Sequence, residues 1–234
     1  EHEFTFEAQQ ASQCLVHCYH EGGIARINLF GEQDTQAAEP RNLLTGVPIS
    51  HVSNVHYGRP SDAVAGERDL DHMFGWESAR SGFGESALFH LERSAMIDEI
   101  IVDTYLHRLN PPLSCHVFGL LEPDPMRIDE LMAHCPAWTI VFDDGLRVTP
   151  PDFKSYMSQA GYLKEPAKDP SQFSIRLENE NNQIWLPIVS FGPLYADRWH
   201  SFTAIEHKGP VSHLLYMHYP NGGIHGLKVY GTEI

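Results

Sequence analysis

Basic residues are scarce in this chain: 16 lysines and arginines stand against 31 aspartates and glutamates, a formal net charge of −15 over 234 residues. The acidic residues are spread along the chain, and no basic stripe is present to displace the counterions of a nucleic acid or an anionic membrane. Those partners are not expected, and an anionic small molecule would need a locally positive pocket. Long apolar runs are missing as well. No window approaches the roughly 20 apolar residues of a membrane-spanning helix, and the opening EHEFTFEAQQ has neither the positive nor the apolar region of a secretory leader. A soluble, cytoplasmic protein is expected. Cysteine is sparse too: Cys14, Cys18, Cys115 and Cys135 form no Cys-x-x-Cys pair and are too few to staple a domain of this size. Free thiols are expected, with Cys14 and Cys18 packing on one face of a strand. The fifteen histidines show no spacing of a recognised ligand set, so neither a metal nor another cofactor is expected.

What is present is β-pattern. ALFHL (87–91), MIDEIIVDTYL (96–106), SCHVFGLL (114–121), WTIVF (138–142), FSIRL (173–177) and IWLPIV (184–189) are β-branched and aromatic runs punctuated by Pro, Gly and Asn, the signature of an all-β sandwich. Helical periodicity is confined to 125–135 and 151–163; the second of these starts at Pro-Asp and stops at Gly161. One phrase occurs twice. CLVHCYHEGGIARINLFG (14–31) and LLYMHYPNGGIHGLKVYG (214–231) align without a gap at an offset of 200 residues. Each copy reads as a β-hairpin whose Gly-Gly pair supplies positive φ for a tight turn. Residues 1–34 are therefore expected to be the closing hairpin of a preceding repeat, and 35–234 the following repeat. A fragment, a truncated homologue, or a protein that kept the hairpin because its strands still pair with the complete domain all fit that arrangement.

The Gly-Gly phrase, together with GWESAR at 75–80, resembles the allantoicase family, whose repeats end in a phrase of the type P-D-G-G-I-x-R-L-R-V-x-G. The family's D-G-W-E-T-x-R motif falls on 74–80, with Gly75, Trp76, Glu77 and Arg80 matching and Phe74 in place of Asp. Its V-D-T-x-x-F-x-G-N-x-P phrase falls on 102–112; Asp103, Thr104, Asn110 and Pro112 match, while His107 and Leu109 replace Phe and Gly. Gly84-Glu85-Ser86 keeps the acid of a third motif and loses its His and Trp; Trp185, Leu194, His200 and Phe202 match a fourth. The resemblance implies a jelly-roll β-sandwich of the galactose-binding-like kind, here with a partly helical insertion at about 122–170.

It also implies an activity, hydrolysis of allantoate to ureidoglycolate and urea, and a small anionic ureido substrate. Such chemistry needs a cation for the substrate carboxylate, a proton donor for the departing urea and an acceptor for the proton of water. Glu77, Asp103 and His200 are the candidate catalytic residues. Arg80, whose planar fork suits a carboxylate, is the candidate anchor, with Trp76 and Asn110 also in the substrate-binding set. A structural reading stands beside each: Glu77 and Arg80 can be an ordinary ion pair, Trp76 suits core packing, and Asn110 before two prolines suits a turn. His107 is expected to be exposed. The alternative function is a catalytically inactive relative acting as a binding module or structural subunit. A homo-oligomer, or a place in a larger assembly, is expected in either case.

Overall fold

The computed structural model describes residues 40–68, 75–79, 84–121, 128–133, 135, 137–142, 147–148, 173–178 and 184–234. The chain divides into two compact units, Glu1–Glu39 and Pro40–Ile234. The described residues all belong to the second; the expected hairpin at 14–31, the helix at 151–163, Arg80 and Phe74 fall outside them.

Strand β1 (Ile49–Val52) and helix α1 (Pro60–Ala65) lead to the two-residue strand β2 (Trp76–Glu77) and to β3 (Glu85–Asp103). β4 (Ser114–Leu120), α2 (Ile128–Ala133), β5 (Ala137–Phe142), β6 (Arg147–Val148) and β7 (Phe173–Glu178) follow. The chain closes with β8 (Leu186–Pro193), β9 (Trp199–Phe202), β10 (Val211–Tyr219), β11 (Gly223–Ile224) and β12 (Gly226–Glu233). The architecture is an all-β jelly-roll sandwich. β5, β6 and β7 form a separate three-stranded sheet between β4 and β8 in sequence, beside the short α2.

β3 organises the sandwich. Its first part pairs with β1 and β10, and its second part with β12 and β9, all antiparallel; β10 continues to β4, and β4 to β8. Between the pairs His213–His90 and Val211–Ala95 the register slips, at the exposed Glu92 and Arg93, and this is where β3 passes from one layer to the other. Alternating residues Ala87, Phe89 and Leu91 face Leu214 and Tyr216 of β10, and Ile97, Ile100, Val102, Leu227 and Val229 close the same core from the second part. The odd step from Ile97 to Ile100 is a β-bulge at Asp98, where β12 also slips between Tyr230 and Gly231.

Three sequence expectations are corrected. The runs at 87–91 and 96–106 are one strand, because the polar residues between them mark a layer crossing rather than a turn. The arms of the 214–231 phrase do not form a hairpin: β10 lies between β3 and β4, whereas β12 pairs with the far part of β3. Nor do Gly222 and Gly223 adopt positive φ, a conformation found in the described glycines at Gly46, Gly58 and Gly75. They are glycine because neighbours approach too closely: a Cβ at Gly222 would lie 2.4 Å from the Asn110 carbonyl oxygen, and one at Gly223 would lie 2.2 Å from the His107 ring. Among the described residues no helix is long and apolar enough to cross a membrane.

Candidate functional site

Glu77 is held in place from both sides of its backbone. Gly75 takes φ +131, and a Cβ there would lie 2.2 Å from the Ile224 carbonyl oxygen, so the chain passes close beneath the Gly-Gly phrase. β2 then pairs with β11, Glu77 opposite Gly223 and Trp76 opposite Ile224. On the other side Glu77 N–H donates to the Tyr57 carbonyl at 2.8 Å and its own carbonyl accepts from Tyr57 N–H at 2.9 Å. Trp76 is fully buried, donates its indole N–H to the Asn54 carbonyl at 2.9 Å, and lies 4.9 Å from the His218 ring. It is therefore a core residue that fixes its neighbour. The Ser78 hydroxyl bonds Gly222, Ala79 N–H donates to Asn54 Oδ1, and the Asn221 amide donates to the Ala79 carbonyl. Through this pinned segment the Glu77 carboxylate is half-buried and accepts no hydrogen bond from the described residues.

His107 was expected at the surface and is instead 4% exposed. The ring fills the space left by the missing side chain of Gly223, where a Cβ would lie 2.2 Å from its Cε1 and Nδ1. Its Nδ1 is 3.4 Å from Asn110 Oδ1, and the Asn110 carbonyl accepts from Gly223 N–H at 2.9 Å, so Asn110 meets the ring with its side chain and ties the loop to the Gly-Gly phrase with its backbone. Burial lowers the His107 pKa below the ordinary imidazole value; the Asn110 contact and the Glu77 and Asp103 carboxylates partly oppose this, and His225 adds to it. The ring is neutral at pH 7. Beneath it His218 is completely buried, pushed down to about 3 by burial and then by His107, and neither of its nitrogens has a hydrogen-bond partner among the described residues.

Asp103 ends β3 with 2% exposure. Arg68 Nε and Nη2 donate to its two carboxylate oxygens at 2.8 and 2.9 Å, and Tyr105 N–H adds a third bond at 3.0 Å. The Arg68 guanidinium lies over the Tyr105 ring at 4.9 Å and the Trp199 ring at 5.7 Å, and the hydrogen bond to Asp103 raises its pKa above the usual value. Sequence reasoning missed Arg68; it belongs to no motif, and its partner is 35 residues away. His200 is engaged on both ring nitrogens: Nε2 accepts from Tyr195 N–H at 2.9 Å, so Nδ1 carries the proton and faces the Val102 carbonyl at 3.1 Å. Burial lowers its pKa, with the Val102 contact and Asp103 acting in the opposite sense. The retained acid Glu85 is buried and accepts from the Ser53 hydroxyl at 2.5 Å.

Of the sequence candidates, Glu77, Asp103 and Asn110 come within hydrogen-bond or electrostatic reach of one buried imidazole, His107. Trp76 stands behind them, and His200 lies on the β9 side of Asp103. Among the described residues no three His, Cys, Asp or Glu side chains are arranged to hold a metal ion. A carboxylate without a hydrogen-bond partner among the described residues, within electrostatic reach of a neutral imidazole whose other nitrogen faces an amide, is suited to moving a proton.

A family model described as the allantoicase repeat matches residues 41–234. A Burkholderia mallei protein named "Probable allantoicase 1" is 22% identical over 97% of this chain and 56% of its own length. A "Probable allantoicase" of Schizosaccharomyces pombe is 22% identical over 92% and 51%; one from Pseudomonas fluorescens Pf-5 is 27% identical over 47% and 37%. The chain thus spans about half the length of such relatives, or less. A solved structure of allantoicase from Saccharomyces cerevisiae superposes with a TM-score of 0.51 at 21% identity, covering 82% of this chain and 43% of that one, a likeness of fold.

Proposed function

Since the chain belongs to the allantoicase family, we propose that it hydrolyses allantoate to ureidoglycolate and urea, with Glu77 as the carboxylate that manages the proton of the reaction. The observation that carries this reading is the state of Glu77. Its neighbours in the motifs are committed to the fold, Asp103 to Arg68 and Glu85 to Ser53, whereas the Glu77 residue is pinned by its backbone, its carboxylate has no partner among the described residues, and it lies within electrostatic reach of a neutral His107. Breaking the C–N bond to one ureido group requires a proton on the departing nitrogen, and adding water to the same carbon releases one. A positioned acid–base pair supplies both and is worth about 10²–10⁴ in rate. Arg80 anchors the substrate carboxylate in this reading, Asn110 orients His107, and Asp103 and His200 hold the surrounding loops. The reading also includes assembly with further copies and a cytoplasmic location.

The test is urea release from allantoate by the purified chain, with Glu77→Gln beside it. Turnover that falls by about 100-fold or more in the variant supports the proposal. A folded wild-type chain that releases no urea refutes it and leaves the second reading, a non-catalytic binding or structural subunit. Leu109, 79% exposed where the resemblance places Gly, and the structural use of Glu85 favour that alternative.

A further inference from the structure

Resting on that reading, we propose that His107 is the group that carries the proton, taking it from the attacking water on Nε2 and passing it to the departing urea nitrogen, while the Glu77 carboxylate stabilises the intervening imidazolium. The motif that carries the family resemblance has Phe at this position, so the assignment belongs to this chain. Three observations converge on it.

The ring is fixed. Asn110 Oδ1 faces Nδ1 at 3.4 Å, and Gly223 leaves no room for a shift toward β11, since even one added methyl group would lie 2.2 Å from Cε1 and Nδ1. With the Nδ1 proton turned to Asn110, Nε2 keeps its lone pair, the arrangement of an oriented general base. Second, the charge needed for proton transfer is in place: the Glu77 and Asp103 carboxylates both favour the protonated ring, against burial. Third, the surroundings hold polar atoms that the fold leaves unpaired. Both nitrogens of His218 and Nδ1 of His225 are buried without a partner among the described residues, although buried polar groups are nearly always paired. His225 Nε2 donates to the Glu67 carbonyl at 2.8 Å, which leaves Nδ1 an acceptor, and neutral His218 offers one N–H and one lone pair, a mixture that matches the N–H groups and carbonyl of a ureido group.

The step balances. Water oxygen bonds to the carbon that bears the two ureido groups, one C–N bond breaks with its electron pair going to nitrogen, and the proton lost by water reaches that nitrogen through Nε2. One water is consumed, one urea leaves, and His107 returns to its neutral state.

His107→Phe fills the same space against Gly223 without a titratable nitrogen, and His107→Gln is the second variant should the first not fold. The expected result is a fall in kcat for urea release of about 100-fold or more with KM nearly unchanged, and loss of the acidic limb from the pH–kcat/KM profile. In Glu77→Gln the residual activity should show that limb moved to lower pH. Wild-type turnover and an unaltered pH profile in His107→Phe or His107→Gln would overturn this inference while leaving the proposed hydrolysis intact. A folded wild-type chain without activity overturns both.

Discussion

Arg68 gives the sharpest test of how this end of the sandwich is held together. Replacing it by alanine leaves the Asp103 carboxylate, 2% exposed, with the Tyr105 N–H and no counter-charge. Stranding a fully buried partner costs about 3–5 kcal/mol, and an exposed bridge is worth at most about 1 kcal/mol. Arg68 is itself 43% exposed, so water can reach the gap, and about 2–3 kcal/mol is expected. For a unit of this size that lowers Tm by roughly 5–10 °C. The two copies of the repeated phrase suggest a rescue. Aligned at 200 residues, Arg26 of the first copy corresponds to Gly226 of the second, and Gly226 faces Asp103 directly across the β3–β12 pair. A Cβ at 226 would lie 3.1 Å from the Asp103 Cβ and 3.8 Å from the Gly66 carbonyl oxygen, so the loop carrying Arg68 occupies the space an arginine at 226 would take. Gly226→Arg alone is therefore expected to destabilise, whereas Arg68→Ala combined with Gly226→Arg should recover at least half of the loss, a coupling read from the four melting curves. An Arg68→Ala protein melting within about 1 °C of wild type would reduce the pair to the value of an exposed bridge and refute the reasoning.

Gly223→Ala should cost about 1–3 kcal/mol, the range for overpacking, because its methyl group meets the His107 ring; an unchanged guanidinium midpoint would show that the ring moves freely. Acid should destabilise the fold before any carboxylate titrates. Burial holds His116 down to about 4 and His218 to about 3, so between those values and 6.5 the unfolded chain binds protons that the folded chain refuses. The contribution is complete above pH 6.5 and is lost as pH falls, by about 1.4 kcal/mol per unit for each ring, or roughly 4 kcal/mol for both at pH 5. Denaturation midpoints at pH 7.5, 6 and 5 measure it; burial also holds His213 down to about 4, so His218→Phe should remove about a third of the slope, and a flat profile would mean that these rings are solvated. In Trp76→Phe the loss of the bond to Asn54 should loosen Glu77, so hydrolysis is expected to fall further than stability does.

Much of the fold was legible from alternation alone. The strands at 114–120, 137–142 and 173–178, the inward set Phe89, Leu91, Leu214 and Tyr216, and the core position of Trp76 all follow from period and residue type. Partnership was not legible. Periodicity marks 214–219 and 224–230 as strands, but it carries no information about whether two strands pair with each other or with the two halves of a third. The polar stretch around Glu92–Arg93–Ser94 reads as a break, and the structure uses it as the place where one strand changes layers. The same limit applies to Gly222 and Gly223, since a glycine needed for positive φ and one needed for close approach are identical in sequence. His107 was misjudged for a related reason: its burial depends on an absence of side chain at 223, more than a hundred residues away.

The residues that carry the family resemblance divide into two sets with different consequences. Gly75, Trp76, Asp103, Thr104, Gly222 and Gly223 each have a packing or hydrogen-bonding task that would be required whether or not the chain turns anything over. Thr104, for example, is fully buried and its hydroxyl bonds the backbone of Tyr195 and Arg198. Their presence explains why the sandwich forms and says little about chemistry. Glu77 stands apart, and with it His107, which departs from the motif. The sheet needs the backbone of Glu77, whose carboxylate accepts no hydrogen bond among the described residues, and a flat ring other than imidazole would fill the space against Gly223, losing only the Asn110 contact. A buried imidazole and a half-buried carboxylate, brought to the two faces of Gly223, are the part of this end of the sandwich that packing leaves unexplained.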